Sequence, residues 1–241
     1  YNSLDERGPN FELTQNELEQ GQSILSNMGV KKNSKFICLN VRDSLFLKKK
    51  IYELDLDYHS YRNSNIEDYL LCCEELTRLG YYVIRMGVVT EKKLESKNSK
   101  IIDYSNSKFR SDFMDFYLGS NCEFCISTGS GFDSIPFVFR KPILYVNIVP
   151  LGLLNTSSKK FLFLPKHHYC NKLNKNLSLK EIFKRNIDTA LKNDDFIKED
   201  ITLKDNNPKE ILDASLDMIN LIKNDYIKSD SEKNNLKKFS V

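Results

Sequence analysis

Long apolar runs are missing from this chain. No stretch approaches the ~20 residues that a membrane-spanning helix requires, so a helical span is not expected. A dense basic stripe is missing too. The 36 lysines and arginines face 33 acids for a formal charge of +3, and their dispersal argues against nucleic acid as a partner. Cysteine is sparse, six in 241 residues, and most copies lie inside apolar runs as small buried side chains do. A reducing compartment, the cytoplasm, is the expected location. Neither G-x-x-x-x-G-K-[ST] nor G-x-G-x-x-G occurs, which speaks against a P-loop nucleotidase and a common dinucleotide oxidoreductase. The opening YNSLDERGPNFELTQ is too polar for a signal peptide and lacks a first methionine, so the chain reads as a piece of a longer protein.

Glycine is scarce as well, with nine residues, and this makes one placement informative. Gly129 and Gly131 fall together with Ser127, Thr128 and Ser130 in the stretch ISTGSGFDSIP, between an apolar run and an expected helix. One glycine suffices for a tight turn. Two, interleaved with hydroxyls, fit either a backbone built for close approach of a phosphate or an ordinary strand-to-helix turn.

Around that loop, strand and helix signals alternate. Thr14 and Glu17 form a capping-box pattern for a helix reaching about Met28. SKFICLNV, residues 34–41, reads as a buried strand ending in Arg42-Asp43. Ser64-Asn65-Ile66-Glu67 repeats the capping box before an apolar stripe of Ile66, Tyr69, Leu70, Cys73, Leu76 and Leu79, closed by Gly80. Residues 81–87 form a second strand, IIDY a short one, and Ser111 opens a helix that Gly119 should stop. Residues 122–127 and 141–147 give two more strands, and the last third is expected to be mostly helical, with starts at Ser178 and Pro208. This spacing predicts an α/β fold: a Rossmann-like parallel sheet with helices on both faces and a helical C-terminal flank. The expected divisions are 1–33 as a helix and linker from a preceding region, 34–225 as the domain, and 226–241 as a polar tail.

Ligands of open α/β sheets lie beyond the carboxyl ends of the strands. The residues delivered there are Arg42, Asp43, Arg85, Gly87 and the loop Ser127, Thr128, Gly129, Ser130, Gly131, Phe132 and Asp133. Consecutive backbone N–H groups, a helix start and the Arg42 fork outline a diphosphate site, although an arginine at a strand end is also a common surface ion-pair partner. A second rich patch holds His59, Tyr61, Arg62 and Asn63, residue types suited to a sugar, a phosphate or a base edge, or to a loop held by its own hydrogen bonds. His59 also titrates near neutrality and is a candidate general base. The pair Cys122 and Cys125 sits in an alternating apolar run and reads as buried thiols. With His167, His168 and Cys170 it matches no common zinc spacing, and no metal site is expected.

The series LNVRDS, HSYRNSNIEDYLLCCEELTRLGYYVIRMG, STGSGFDSIP and KPILYVN resembles the nucleotide-sugar-binding half of GT-B glycosyltransferases, over roughly residues 35–150. More narrowly it is similar to a family of bacterial glycosyltransferases in which VRD, H-x-YRN and S-x-GSG elements recur, and more distantly to GT-B fucosyltransferases. The resemblance implies that Arg42 contacts a donor diphosphate and that residues 127–131 cradle it. It departs from the fucosyltransferase pattern at Asp43, where a second basic residue is usual. It also implies a nucleotide-sugar donor, a glycan or lipid-linked glycan acceptor and a role in surface polysaccharide synthesis. The lysines at 48–50 fit either peripheral contact with the inner face of a membrane or, more commonly, a solvated face. No cofactor is expected: Asp55-Leu56-Asp57 has the spacing of a metal-binding pair but does not close a strand, so the expected chemistry is metal-independent. A non-catalytic nucleotide- or sugar-binding module on the same scaffold is the alternative.

Overall fold

The structure is a computed structural model that describes residues 4–43, 45, 57–88 and 90–223. The lysines at 48–50, the residues at 55–56 and the tail 226–241 lie outside the described residues. Six strands form one parallel sheet: β1 (Phe36–Asn40), β2 (Tyr82–Arg85), β3 (Ile101–Ile102), β4 (Cys125–Ser127), β5 (Ile143–Ile148) and β6 (Phe161–Pro165), in the order β3-β2-β1-β4-β5-β6. This is a Rossmann-like α/β fold, with its topological switch point between β1 and β4.

Both faces of the sheet are covered, which is why its strands read as continuous apolar runs. Side chains alternate along β1: Ile37 and Leu39 enter one core cluster and Phe36 and Cys38 the other. On the first face pack α2 (Leu70–Arg78) and α7 (Pro208–Ile222), through Cys72, Cys73 and Leu76 from one helix and Ile211, Met218 and Ile219 from the other. The opposite face takes α1 (Gln15–Asn27), α3 (Asp112–Asn121) and α4 (Ser134–Val138), through Leu25, Met114, Leu118 and Phe137. The capping box expected at Thr14 and the helix starts expected at Ser178 and Pro208 are formed; Asn207 accepts from the N–H groups of Lys209 and Glu210.

Three local expectations are corrected. Ser64 caps no helix: Asn65 precedes a 3₁₀ turn, Ile66–Tyr69, that leads into α2, and its amide instead donates to Glu67 at 3.2 Å. Gly119 does not end α3, which runs on to Asn121. Its missing side chain serves packing, since a Cβ there would lie 2.7 Å from Ile135. The last third is not mostly helical. After β6 the chain builds a second, antiparallel sheet from β7 (His167–Cys170), β8 (Lys175–Asn176) and β9 (Ile201–Lys204), covered by α5 (Leu179–Lys184) and α6 (Asn193–Lys198). This unit has its own small core of Leu177, Ile182, Phe196 and Ile201, into which Tyr61 is also inserted.

Candidate functional site

A cleft of about 770 Å³ opens at the carboxyl ends of the central strands, over the switch point. Four segments converge on it. The end of β1 supplies Asn40, Val41, Arg42 and Asp43, and the loop after β4 supplies Gly129, Ser130, Gly131, Phe132 and Asp133. A 3₁₀ turn, Asp57–Arg62, brings His59, Tyr61 and Arg62, and the chain after β2 brings Gly87, Val88 and Thr90. Tyr145, Ile148 and Val149 from β5 and its exit, together with Phe163, Leu153 and Leu191, make an apolar wall.

Hydrogen bonds lock the first two segments together. Asn40 Nδ2 donates to Ser130 Oγ at 2.6 Å, and the Thr128 N–H donates to the Asn40 carbonyl at 3.1 Å. Ser127 Oγ accepts from the Gly129 N–H at 3.1 Å and donates to Asp133 Oδ2 at 3.0 Å, and Asp133 Oδ2 also accepts from the Ser130 N–H at 3.2 Å. Ser127 and Thr128 are fully buried and therefore shape the loop from beneath. The two glycines have different duties. Gly129 has φ of +78°, and a Cβ on it would meet Ile148 at 2.4 Å; nothing lies within 4 Å of where a Gly131 Cβ would be. Gly131 and Phe132 begin a short turn, whose first N–H groups have no acceptor within the turn.

Two arginines give the cleft its charge. Arg62 Nη2 donates to the Gly129 carbonyl, and Arg42 Nε donates to Asn63 Oδ1 at 3.3 Å. Among the described residues no carboxylate pairs with either guanidinium. Burial, and then the neighbouring Arg62 charge, lower the Arg42 pKa. His59 feels the same field: burial, then Arg42 and Arg62, push its pKa below the ordinary imidazole value, against a hydrogen bond with the Leu191 backbone. Its ring is therefore neutral near pH 7. Burial pushes the Asp133 carboxyl up to about 6, against its hydrogen bonds from Ser127 and Ser130 and the Arg62 charge.

The expected residues do not all reach the cleft. Arg85 is 1% exposed and turns under the loop after β2, where Nη1 donates to the Lys92 carbonyl and lies 3.6 Å from Asp103 Oδ2. It lines a separate small cavity, because at position 85 the strand's alternation points away from the switch point. Asn63 sits behind Arg42, whereas Asp43 does line the cleft but has its carboxylate occupied by backbone, accepting from the Leu45 and Glu91 N–H groups at 3.0 and 2.9 Å. Tyr61 is mostly structural, its ring 5.3 Å from Phe196 and its N–H on Asn193 Oδ1 at 3.1 Å. Sequence reasoning missed Asn40, whose signal was a polar residue closing an otherwise apolar buried strand, and the apolar wall. Cys122, Cys125 and Cys170 are buried thiols, the first two in the main core and Cys170 in the small one.

No protein-family model matches the chain, and no curated protein matches it in sequence. Among solved structures it is similar to a glycosyl transferase family 9 protein from Veillonella parvula DSM 2008, at 15% identity and a TM-score of 0.50, over 88% of this chain and 53% of that one. The E. coli ADP-heptose lps heptosyltransferase II is also similar, at 9% identity and a TM-score of 0.48, over 89% and 54% of the two chains. The chain thus spans about half the length of these structures. The first likeness agrees with the Rossmann-like architecture. Among the described residues no helix is long and apolar enough to cross a membrane.

Proposed function

We propose that this chain is the nucleotide-sugar-binding half of a GT-B glycosyltransferase, acting in the cytoplasm on a glycan or lipid-linked glycan acceptor in surface polysaccharide synthesis. The observation that carries the reading is the pair Arg42 and Arg62, without carboxylate partners among the described residues, beside the glycine loop at the switch point. The fold likeness to a family 9 glycosyl transferase supports it.

The geometry suits departure of a nucleoside diphosphate. As the acceptor oxygen bonds to the anomeric carbon and the bond from that carbon to the leaving oxygen breaks, the electron pair of the broken bond moves onto the terminal phosphate. Guanidinium groups and turn N–H groups are suited to stabilise that charge without a metal ion. Arg42, already partly desolvated and without a carboxylate partner among the described residues, is suited to meet a diphosphate. Neutral His59, in the same cleft, is able to accept the proton of an acceptor hydroxyl. The apolar wall of Tyr145, Ile148 and Phe163 suits the flat face of a base.

Calorimetric titration with UDP, GDP, ADP and CMP tests the reading. One nucleotide should bind, and Arg42→Ala should weaken it at least about tenfold with the fold intact, the scale of a lost charge-assisted bidentate contact. Binding that is indifferent to Arg42→Ala, or absent altogether, would remove the central claim.

A further inference from the structure

Arg42 is held at both ends by one loop. Its Nε donates to Asn63 Oδ1 at 3.3 Å, and its backbone carbonyl accepts from the Ser64 N–H at 3.1 Å. The Asn63 carbonyl in turn accepts from Lys166 Nζ at 2.6 Å, and Lys166 pairs with Asp205 Oδ1 at 2.7 Å. Lys166 stands at the corner between β6 and β7 and is 6% exposed; Asp205 stands between β9 and α7. Neither residue lines the cleft. A lysine this deeply buried must have its donors satisfied, and here one donor goes to the residue that grips the cleft arginine.

We propose that Lys166 and Asp205 are positioning residues that aim the Arg42 guanidinium into the cleft through Asn63. The guanidinium is planar, so committing Nε to Asn63 fixes the direction in which both Nη groups point. Those two groups are then presented as a fork for a diphosphate before it arrives, which removes an ordering cost from binding. Lys166 anchors the Asn63 backbone, so that the amide oxygen of Asn63 stays where Arg42 needs it. The consequence for ligand binding rests on the reading of the cleft as a phosphate site; the aiming of Arg42 does not.

Two measurements separate these claims. The first is hydrogen exchange of the Arg42 Nε–H by NMR in the ligand-free chain. Lys166→Met combined with Asp205→Asn removes both charges and leaves neither orphaned, so the fold should persist. Exchange should quicken about tenfold in this variant and in Asn63→Ala, and Asn63→Asp, which keeps the acceptor, should restore protection. Unchanged exchange in the Lys166→Met, Asp205→Asn variant overturns the proposal whatever the ligand. The second is titration with inorganic pyrophosphate. The double variant should weaken binding about fivefold when Arg42 is present and have no effect in an Arg42→Ala background. An equal loss in both backgrounds overturns the relay, whereas failure of the unaltered chain to bind pyrophosphate or any nucleoside diphosphate defeats the phosphate reading and leaves the exchange result to decide the relay alone.

Discussion

The Arg42 N–H donates to Thr128 Oγ1 at 2.9 Å, so a buried hydroxyl joins the backbone beyond one strand end to the loop beyond the other, in addition to the bonds that Asn40 makes with Thr128 and Ser130. Thr128 is 1% exposed. Thr128→Val keeps the shape and removes the acceptor, and should cost about 1–3 kcal/mol, the usual penalty for a buried donor left unpaired. Thr128→Ser should retain most of the stability. Urea unfolding of the two variants checks the difference; equal stabilities would mean that the bond does not matter.

The two loop glycines should respond in opposite ways. Gly129→Ala places a side chain at positive φ and against Ile148, and should lower stability by roughly 1–3 kcal/mol. Gly131→Ala meets nothing and should change stability by no more than about 0.5 kcal/mol. Its methyl group would stand in the cleft, so nucleotide affinity should fall while the melting temperature holds. Thermal melts and calorimetry on both variants would reveal a reversed order.

His59 reports the field of the arginines. Arg62→Ala removes a neighbouring cation, which favours the protonated imidazole, so the His59 pKa should rise toward its ordinary value of about 6.5. Arg42→Ala should act in the same direction and more strongly. An NMR titration of the ring reads this directly. If His59 is the base, the rate in the whole enzyme should climb with pH through its lowered pKa and level off by neutrality.

Asp133 should make stability depend on pH. Its folded-state pKa of about 6 lies above the unfolded value, so folding favours the protonated acid. The associated stability is complete below about pH 4 and lost as pH rises through 6. Asp133→Asn keeps an acceptor for Ser127 and Ser130 without the buried charge. It should therefore be more stable than the unaltered chain at pH 7.5, by the order of 1–3 kcal/mol, with little of that gain remaining at pH 4. Denaturation at the two pH values tests this; a gain that is the same at both would assign the effect to packing.

Much of the main sheet could be read in the sequence because its signals are local. Thr14 with Glu17, Ser178 with Glu181, and Asn207-Pro208 announce helix starts through bonds made within four residues. The buried runs ending at Arg42 and Ser127 marked the strand ends that flank the cleft. What escaped depends on partners distant in sequence. His167–Cys170 has no apolar alternation and is a strand because Ile201–Lys204 pairs with it, and Gly119 looked like a stop because its packing against Ile135 is a tertiary fact. Arg85 shows the same limit: a strand end can be located from sequence, but the face on which its last side chain leaves is set by register with Leu39.

The second sheet sets a lower bound on how far this chain can be trimmed. The turn carrying His59 and Arg62 is fastened to it by Tyr61 against Phe196 and by Asn193 on the Tyr61 N–H and the Ser60 hydroxyl. A fragment ending after the sixth strand would keep every strand of the main sheet and still lose one wall of the cleft. The smallest fragment that keeps the cleft whole therefore extends through α6 and on into α7, which seals the main core. Crystallographers seeking a compact fragment should shorten the ends and leave residues 166–222 whole.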